Sequence, residues 1–178
     1  MFINFINISR PHQWIKNFLI FLPLIVTHQF KLNYFVNIIP LFISFCFLAS
    51  AVYCYNDIKD LLDDQKHPEK KKRPLASNKI TINQVYFYIL FLLSTSFFIA
   101  FFFYNSDVLY VLIFYLLLNF LYSNYLKKII LIDILILSSF YLLRIFVGSI
   151  VDNIELTNYF VLFTFSSFIA LASIKRLA

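Results

Sequence analysis

Long apolar runs constrain the fold of this chain more than any other feature of its sequence. Several of them approach or exceed the ~18 to 20 residues with which a helix crosses a lipid bilayer. Hydrophobic residues make up 61% of the chain, whereas a typical globular protein has about 45–50%. We therefore expect an all-α, polytopic helical membrane protein with one transmembrane domain over residues 1–178. About six transmembrane helices are predicted, over residues 18–30, 36–55, 82–104, 107–126, 129–150 and 157–174.

Two details of the first two runs refine this prediction. The first run is short and contains Pro23, so we expect its helix to be kinked or to span the bilayer poorly. The second run contains both cysteines, Cys46 and Cys54. Eight residues correspond to about 12 Å along a helix, which is too far for a disulfide bond. We expect two packed thiols.

The basic residues predict the orientation of the chain in the membrane. Lys and Arg collect in the cytoplasmic loops of membrane proteins. If the six helices alternate in direction, Lys31 is the only basic residue in a loop on the opposite side, and Arg144 lies inside a helix. Both termini and the loop at residues 56–80 are therefore expected in the cytoplasm. Because this rule explains the net charge of +6, nucleic acid is not expected as a partner.

The loop at residues 56–80 is the longest polar stretch, and it is acidic first and basic afterwards. A helix that continued through it would place four polar side chains within an arc of about 100°: Asn56, Asp57, Asp60 and Asp64. Neighbouring carboxylates repel one another unless a cation lies between them, and Mg²⁺ binds carboxylates together with phosphate oxygens. The basic residues 70–73 offer a second anion-binding surface. The alternative is an ordinary solvated loop.

The motifs of this loop resemble a known family. Residues 56–64 read N-D-x-x-D-x-x-x-D, which is similar to the first aspartate-rich motif of the UbiA superfamily of intramembrane prenyltransferases. Residues 67–77 read H-P-x-K-x-x-R-P-x-A-S, which resembles the decaprenyl-phosphate phosphoribosyltransferase branch. Three further strings are similar to that branch: R-P-x-Q-W-x-K-N at 10–17, Y-S-x-x-L-K at 122–127 and L-R-x-x-x-G at 143–148.

The resemblance implies roles for individual residues. It implies catalytic and metal-binding roles for Asp57, Asp60 and Asp64, and a catalytic role for Asp133. The implied substrate-binding residues are Lys16, Asn56, Lys70, Arg73, Tyr122, Lys127 and Arg144. Arg144 lies about 16 Å deeper than Asp133 on nearly the same helix face. Hydrogen bonding between helices, or a structural ion pair, remains the alternative for these buried polar groups. Gly148 is expected to allow close helix packing.

The resemblance also implies an activity. It is Mg²⁺-dependent transfer of a 5-phosphoribosyl group from phosphoribosyl pyrophosphate to a polyprenyl phosphate, in the inner membrane of a bacterium, for cell-envelope polysaccharide precursors. The implied partners are these two substrates and membrane lipid. One alternative is a conventional transferase that moves a prenyl group from a prenyl diphosphate to an aromatic acceptor. Another is a non-catalytic membrane subunit or a transporter.

The length of the chain departs from the family pattern. Members of the superfamily have about nine helices, and the resemblance covers about the first two-thirds of one member. The loop after helix six ordinarily supplies the second half of the site. We therefore expect poor turnover by residues 1–178 alone, and a second fragment that carries helices seven to nine. The sequence leaves open whether the chain is complete, truncated or split.

Overall fold

The computed structural model describes residues 2–177, apart from the side chains of Lys128 and of residues 175–177. Every regular element in this part of the chain is helical, so the all-α class is confirmed. The α-helices are α1 (Phe2–Ser9), α2 (Leu22–Val26), α3 (Leu32–Lys59), α4 (Leu61–Lys66), α5 (Ile82–Phe103), α6 (Ser106–Asn124), α7 (Ile130–Val151) and α8 (Asn158–Leu177). Short 3₁₀ helices span Pro11–Phe21, Lys70–Lys72 and Leu126–Lys128.

Four helices within the described residues are long and apolar enough to cross a membrane, namely α3, α5, α6 and α7. Helix α8 adds a shorter apolar stretch, Asn158–Ile174. Aromatic and aliphatic side chains such as Phe87, Phe101 and Leu131 are exposed on the outer faces of these helices. Because a bilayer removes such surfaces from water, these faces fit an integral membrane protein.

The first apolar run differs from its prediction. Residues 18–30 do not form one α-helix: the 3₁₀ helix Pro11–Phe21 leads into α2, and the chain turns at His28, where φ is 54°. The cause is local, since Pro23 has no N–H to donate and lies in the first turn of α2. A 3₁₀ helix rises about 2.0 Å per residue. The segment Pro11–Phe21, which begins next to Arg10 at the aspartate end, therefore covers more length than an α-helix of the same number of residues.

Helix α3 is the centre of the bundle. It packs most extensively against α5, and the two helices approach closely where Ser44 donates a hydrogen bond of 2.9 Å to the backbone oxygen of Ser96. The fully buried side chains Leu41, Phe45 and Leu48 form the middle of the core. Because both ends of α3 are tied to neighbouring helices, its last turn holds Asp57 in a defined position.

Tyr104 links the start of α3 to the end of α5, at the end of the bundle opposite the aspartates. Pro40 interrupts the hydrogen-bond ladder of α3. The Tyr104 hydroxyl accepts a hydrogen bond of 2.9 Å from the Leu41 N–H and donates one to the Asn37 carbonyl. The Asn37 side chain in turn donates to Asp152 at 3.0 Å. The α5–α6 and α7–α8 turns therefore meet the start of α3 at the end opposite the aspartates.

Candidate active site

The aspartate end of α3 is where the polar residues of the chain converge. Helix α3 ends at Lys59, the backbone breaks at Asp60, and α4 resumes at Leu61. The Asp64 N–H still donates to the Asp60 carbonyl at 2.8 Å, so helical spacing persists across the break. Asp57 and Asp64, two helical turns apart, are consequently both buried on one side, with 3% and 2% of their surfaces exposed.

A guanidinium group bridges these two carboxylates. One Arg73 nitrogen, Nη1, lies 2.5 Å from Asp64 Oδ2 and 3.3 Å from Asp57 Oδ1. The Lys70 ammonium lies 4.0 Å from Asp64 Oδ1. The chain from His67 to Ile80 folds back onto the bundle, with Leu75 and Ile80 buried against it. The loop predicted from the sequence is thus an ordered structure that carries cations to the acidic pair.

Arg10 is a residue of this site that the sequence analysis did not select. It donates a hydrogen bond to Asp57 Oδ1. The only sequence signal was its place at the start of the R-P-x-Q-W-x-K-N string. Its contact with Asp57 joins residues 47 positions apart, and no pattern of spacing predicts such a contact. It arises because the 3₁₀ helix that follows Arg10 runs antiparallel to α3.

Asp60 faces a different group of side chains. Lys127 donates to Asp60 Oδ1 at 2.6 Å. One turn earlier on α3, Asn56 accepts a hydrogen bond of 2.6 Å from Ser123. These contacts join the end of α3 to the end of α6. The structure therefore brings Asp57 and Asp64 together around Arg73, whereas it holds Asp60 against Lys127.

Asp133 lies on the neighbouring helix α7, where it is 3% exposed. The Tyr122 hydroxyl donates to Asp133 Oδ1 at 2.7 Å. Tyr122 and Ser123 are consecutive on α6, so this helix contacts both Asn56 and Asp133. The Y-S pair that opens the Y-S-x-x-L-K string thus connects α3 and α7.

A polar cavity lies on the core side of these contacts, between the first 3₁₀ helix, α3, α6 and α7. Its volume is about 120 Å³. Four of the predicted substrate-binding residues line it: Lys16, Asn56, Tyr122 and Arg144. The cavity thus joins residues that are more than a hundred positions apart in the sequence, and its inner wall carries two cationic side chains.

Arg144 is the most deeply placed of these cations, with 3% of its surface exposed. It donates to Asn17 Oδ1 and to the Tyr115 hydroxyl, both at 2.9 Å, and to the Phe140 carbonyl at 2.5 Å. Its guanidinium also lies 5.2 Å from the centre of the Tyr115 ring. Within residues 2–174, no carboxylate lies within ion-pair distance of it. Its partners orient the guanidinium, and its positive charge is available to an anion in the cavity.

The acidic pair fits a divalent cation that arrives with its own oxygen ligands. Among the described side chains, no group of three or more His, Cys, Asp or Glu lies close enough together to hold a metal ion. However, protein-bound Mg²⁺ takes only one or two carboxylates, with water and substrate phosphates completing its shell. Asp57 and Asp64 already enclose a cation, the guanidinium of Arg73. The predicted role of Asp60 as a third ligand remains a prediction.

Comparison with known proteins agrees with the motifs. The model of the UbiA prenyltransferase family matches residues 18–176. Decaprenyl-phosphate phosphoribosyltransferase of Corynebacterium glutamicum is 32% identical, over 97% of this chain and 53% of that protein. The nodulation protein NoeC of Azorhizobium caulinodans is 30% identical, over 99% of this chain and 57% of that protein.

A solved structure shows the same fold. It is a UbiA homolog from Archaeoglobus fulgidus bound to GPP and Mg²⁺, and it superimposes with a TM-score of 0.76 at 18% identity, over 94% of this chain and 60% of that one. The chain spans about half the length of the curated relatives described above. Because the family model covers nearly all of its residues, the chain belongs to the UbiA prenyltransferase family.

Proposed function

We propose that this protein transfers a 5-phosphoribosyl group from phosphoribosyl pyrophosphate to a polyprenyl phosphate, with Mg²⁺. The observation that carries the proposal is the close approach of Arg73 and Lys70 to the buried pair Asp57 and Asp64. This arrangement combines a place for a divalent cation with two donors for phosphate oxygens. The named relative from Corynebacterium supports the choice of substrates.

The excess of positive charge favours phosphoribosyl pyrophosphate over a prenyl diphosphate as the donor. Lys71 and Lys72 lie between Lys70 and Arg73 in the chain, so four consecutive cations occur here, of which Lys70 and Arg73 contact the carboxylates. A prenyl diphosphate has one anionic end. Phosphoribosyl pyrophosphate has a 5-phosphate as well as its pyrophosphate, and the additional cations would bind this second anionic group.

The residues of the site would have separate roles in the reaction. The bond between the ribose C1 and the pyrophosphate oxygen breaks, and its electron pair leaves with the pyrophosphate. Arg73 and Lys70 stabilise the charge that develops on this leaving group. An oxygen of the lipid phosphate then forms the new bond to C1. Mg²⁺, when bound, neutralises part of the pyrophosphate charge. No nucleophile from the protein is needed.

The polar cavity is suited to the lipid phosphate. Lys16 and Arg144 supply positive charge on its wall, and a phosphate attracted there would lie on the core side of the aspartates. Asn56 lines the cavity and is the neighbour of Asp57 in the chain. The attacking and leaving groups would thus meet at the last turn of α3. A second fragment, which the sequence analysis expected, has no support among the similar proteins and is not part of this proposal.

The donor is tested in membranes from cells that express the chain. Radiolabelled phosphoribosyl pyrophosphate with a polyprenyl phosphate is expected to give a labelled lipid, slowly from residues 1–178 alone, and a chelator of Mg²⁺ is expected to abolish it. Arg73→Ala is expected to weaken donor binding, because it removes the guanidinium that touches both carboxylates. Lys79→Ala is the matched control, since Lys79 is exposed and lies outside the basic residues 70–73.

Two other outcomes would replace the proposal. Label that reaches an aromatic acceptor only from a prenyl diphosphate would establish the conventional prenyltransferase. Absence of transfer from either donor, with no binding of either, would favour the non-catalytic subunit or transporter.

We also infer that the site faces the cytoplasm at the inner membrane of a bacterium, because basic residues collect at this end of the bundle. A reporter active only in the cytoplasm is expected to be active when fused after Ser77. It is expected to be silent when fused at Asn105 or Asn153, which lie in the turns at the opposite end. Activity at Asn153 would contradict this orientation.

A further inference from the structure

Arg10 makes the least expected contact of the site, and its position suggests more than a structural role. We propose that Arg10 is an exchangeable counter-ion, which neutralises Asp57 while the metal is absent and transfers to the pyrophosphate of the donor when metal and donor enter together. Arg10 would thereby couple the binding of the metal to the binding of the diphosphate. This inference rests on the proposed function, because it assigns a further residue to the same site.

Two guanidinium groups share one carboxylate oxygen of Asp57. Arg10 Nη2 and Arg73 Nη1 both lie within hydrogen-bond distance of Asp57 Oδ1. Asp57 is buried, whereas the side chains of Arg10 and Arg73 are 22% and 28% exposed. A metal ligated by Oδ1 of Asp57 needs the space that these guanidinium groups occupy. At least one of them must therefore leave when the metal binds, and both have a route through solvent.

The acidic pair is surrounded by more positive charge than it carries negative charge. Asp57 and Asp64 together carry two negative charges, and three cations touch them: Arg10, Arg73 and Lys70. The group is thus net positive before any ligand binds. A bare divalent cation is repelled by this excess, whereas a metal bound to a diphosphate is an anion and is attracted. The charge balance favours joint entry of metal and diphosphate.

The backbone of Arg10 is strained at this position. Arg10 has φ 51° and ψ 60°, a left-handed conformation, and Pro11 follows it. Such a conformation costs a residue with a side chain on the order of 1 kcal/mol or more. Asn or Gly would adopt it more easily. The strained position is consistent with a requirement for this particular side chain.

The ring of Tyr53 would hold the released guanidinium of Arg10 by stacking. Arg10 lies over the ring of Tyr53, with 5.5 Å between its Cζ atom and the ring centre. Tyr53 also lines the polar cavity. Arg10 would keep this stacking contact while it exchanges a carboxylate oxygen of Asp57 for an oxygen of the diphosphate, so the exchange requires only a short movement.

The test measures metal binding and does not depend on turnover. Mn²⁺, which is detected by its electron paramagnetic resonance signal, is titrated into the purified full chain with and without methylene diphosphonate, a diphosphate analogue that resists cleavage. In the wild type, the diphosphonate is expected to tighten Mn²⁺ binding by a factor of at least about ten, within the usual range of coupling between two ligands.

Arg10→Gln is expected to tighten Mn²⁺ binding in the absence of diphosphonate and to reduce the enhancement that diphosphonate causes. Without diphosphonate, Mn²⁺ is expected to bind about fivefold more tightly, because a competing cation is gone. The enhancement by diphosphonate is expected to fall by about the same factor, because one of its ligands is gone. Arg10→Lys, which keeps the charge, is expected to lie between the wild type and Arg10→Gln. Lys79→Gln, the control at an exposed lysine outside the basic residues 70–73, is expected to match the wild type.

The possible outcomes are separable. If Arg10→Gln leaves both arms unchanged, or weakens both together as a merely structural residue would, the exchange is overturned while the proposed function stands. If Arg10→Gln does not fold, Arg10→Lys takes its place. Equal enhancement of Mn²⁺ binding by diphosphonate in Arg10→Lys and in the wild type would then overturn the exchange. If the wild type itself shows no joint binding of Mn²⁺ and diphosphonate, the proposed function fails at its metal site.

Discussion

Replacement of Asp57 by asparagine is expected to slow the transfer reaction by at least about 10²- to 10³-fold, the usual cost of removing one electrostatic group from a catalytic site. Asp57 is buried and contacts both Arg10 and Arg73. Asparagine has nearly the same shape but no charge, so it would not balance a divalent cation. Both arginines would keep their charge, and metal-free binding of a diphosphate is expected to persist.

Transfer of labelled phosphoribose in membranes measures this effect. Binding of methylene diphosphonate with and without Mg²⁺ distinguishes a loss of metal binding from a loss of diphosphate binding. Asp63→Asn is the matched control. Asp63 belongs to the same acidic run and lies next to Asp64, but its side chain is exposed, so its variant is expected to retain nearly full activity. Equal losses in the two variants, or wild-type transfer by Asp57→Asn, would contradict the assignment of Asp57 to the metal.

Replacement of Gly148 by alanine is expected to lower the free energy of unfolding by about 1–3 kcal/mol, the usual cost of overpacking a core. A Cβ atom at this position would lie 2.0 Å from the carbonyl oxygen of Ile20. Both atoms belong to rigid helices, so α7 and the first 3₁₀ helix would have to separate. This confirms the prediction that Gly148 permits close packing.

The direction in which Gly148→Ala changes the free energy of unfolding distinguishes a close helix contact from an open position. In an open helix, alanine in place of glycine stabilises by about 1 kcal/mol. A stabilised variant would therefore show that the close contact is absent. Thermal unfolding in detergent measures the change, with Ser139→Ala as the control on the same helix, because the Ser139 hydroxyl is exposed and bonds only within its own turn.

Separation of α7 from the 3₁₀ helix would also disturb the candidate site. Asn17 lies on the 3₁₀ helix and accepts a hydrogen bond from Arg144 on α7. Lys16, its neighbour, lines the polar cavity. We therefore expect Gly148→Ala to weaken acceptor binding as well as stability, whereas Ser139→Ala changes neither.

The local part of the candidate site was predictable from the sequence. Asp57 and Asp64 lie two helical turns apart, and α3 with α4 keeps that spacing closely enough for both to touch Arg73. Tyr122 and Asp133 were selected from a resemblance in their motif, and they contact one another. The contact of Asp60 with Lys127 and the participation of Arg10 were not predictable, since each depends on where a separate helix ends.

The sequence by itself determined the class of the fold and the extents of most helices. Apolar runs of this length must satisfy their backbone groups internally, and within a bilayer only a helix does so locally. The first run is the exception: it is divided between a 3₁₀ helix and the short helix α2, and its composition does not specify the 3₁₀ form. Only the tertiary structure decided which cations reach Asp57, because that depends on how distant segments are juxtaposed rather than on spacing along one helix.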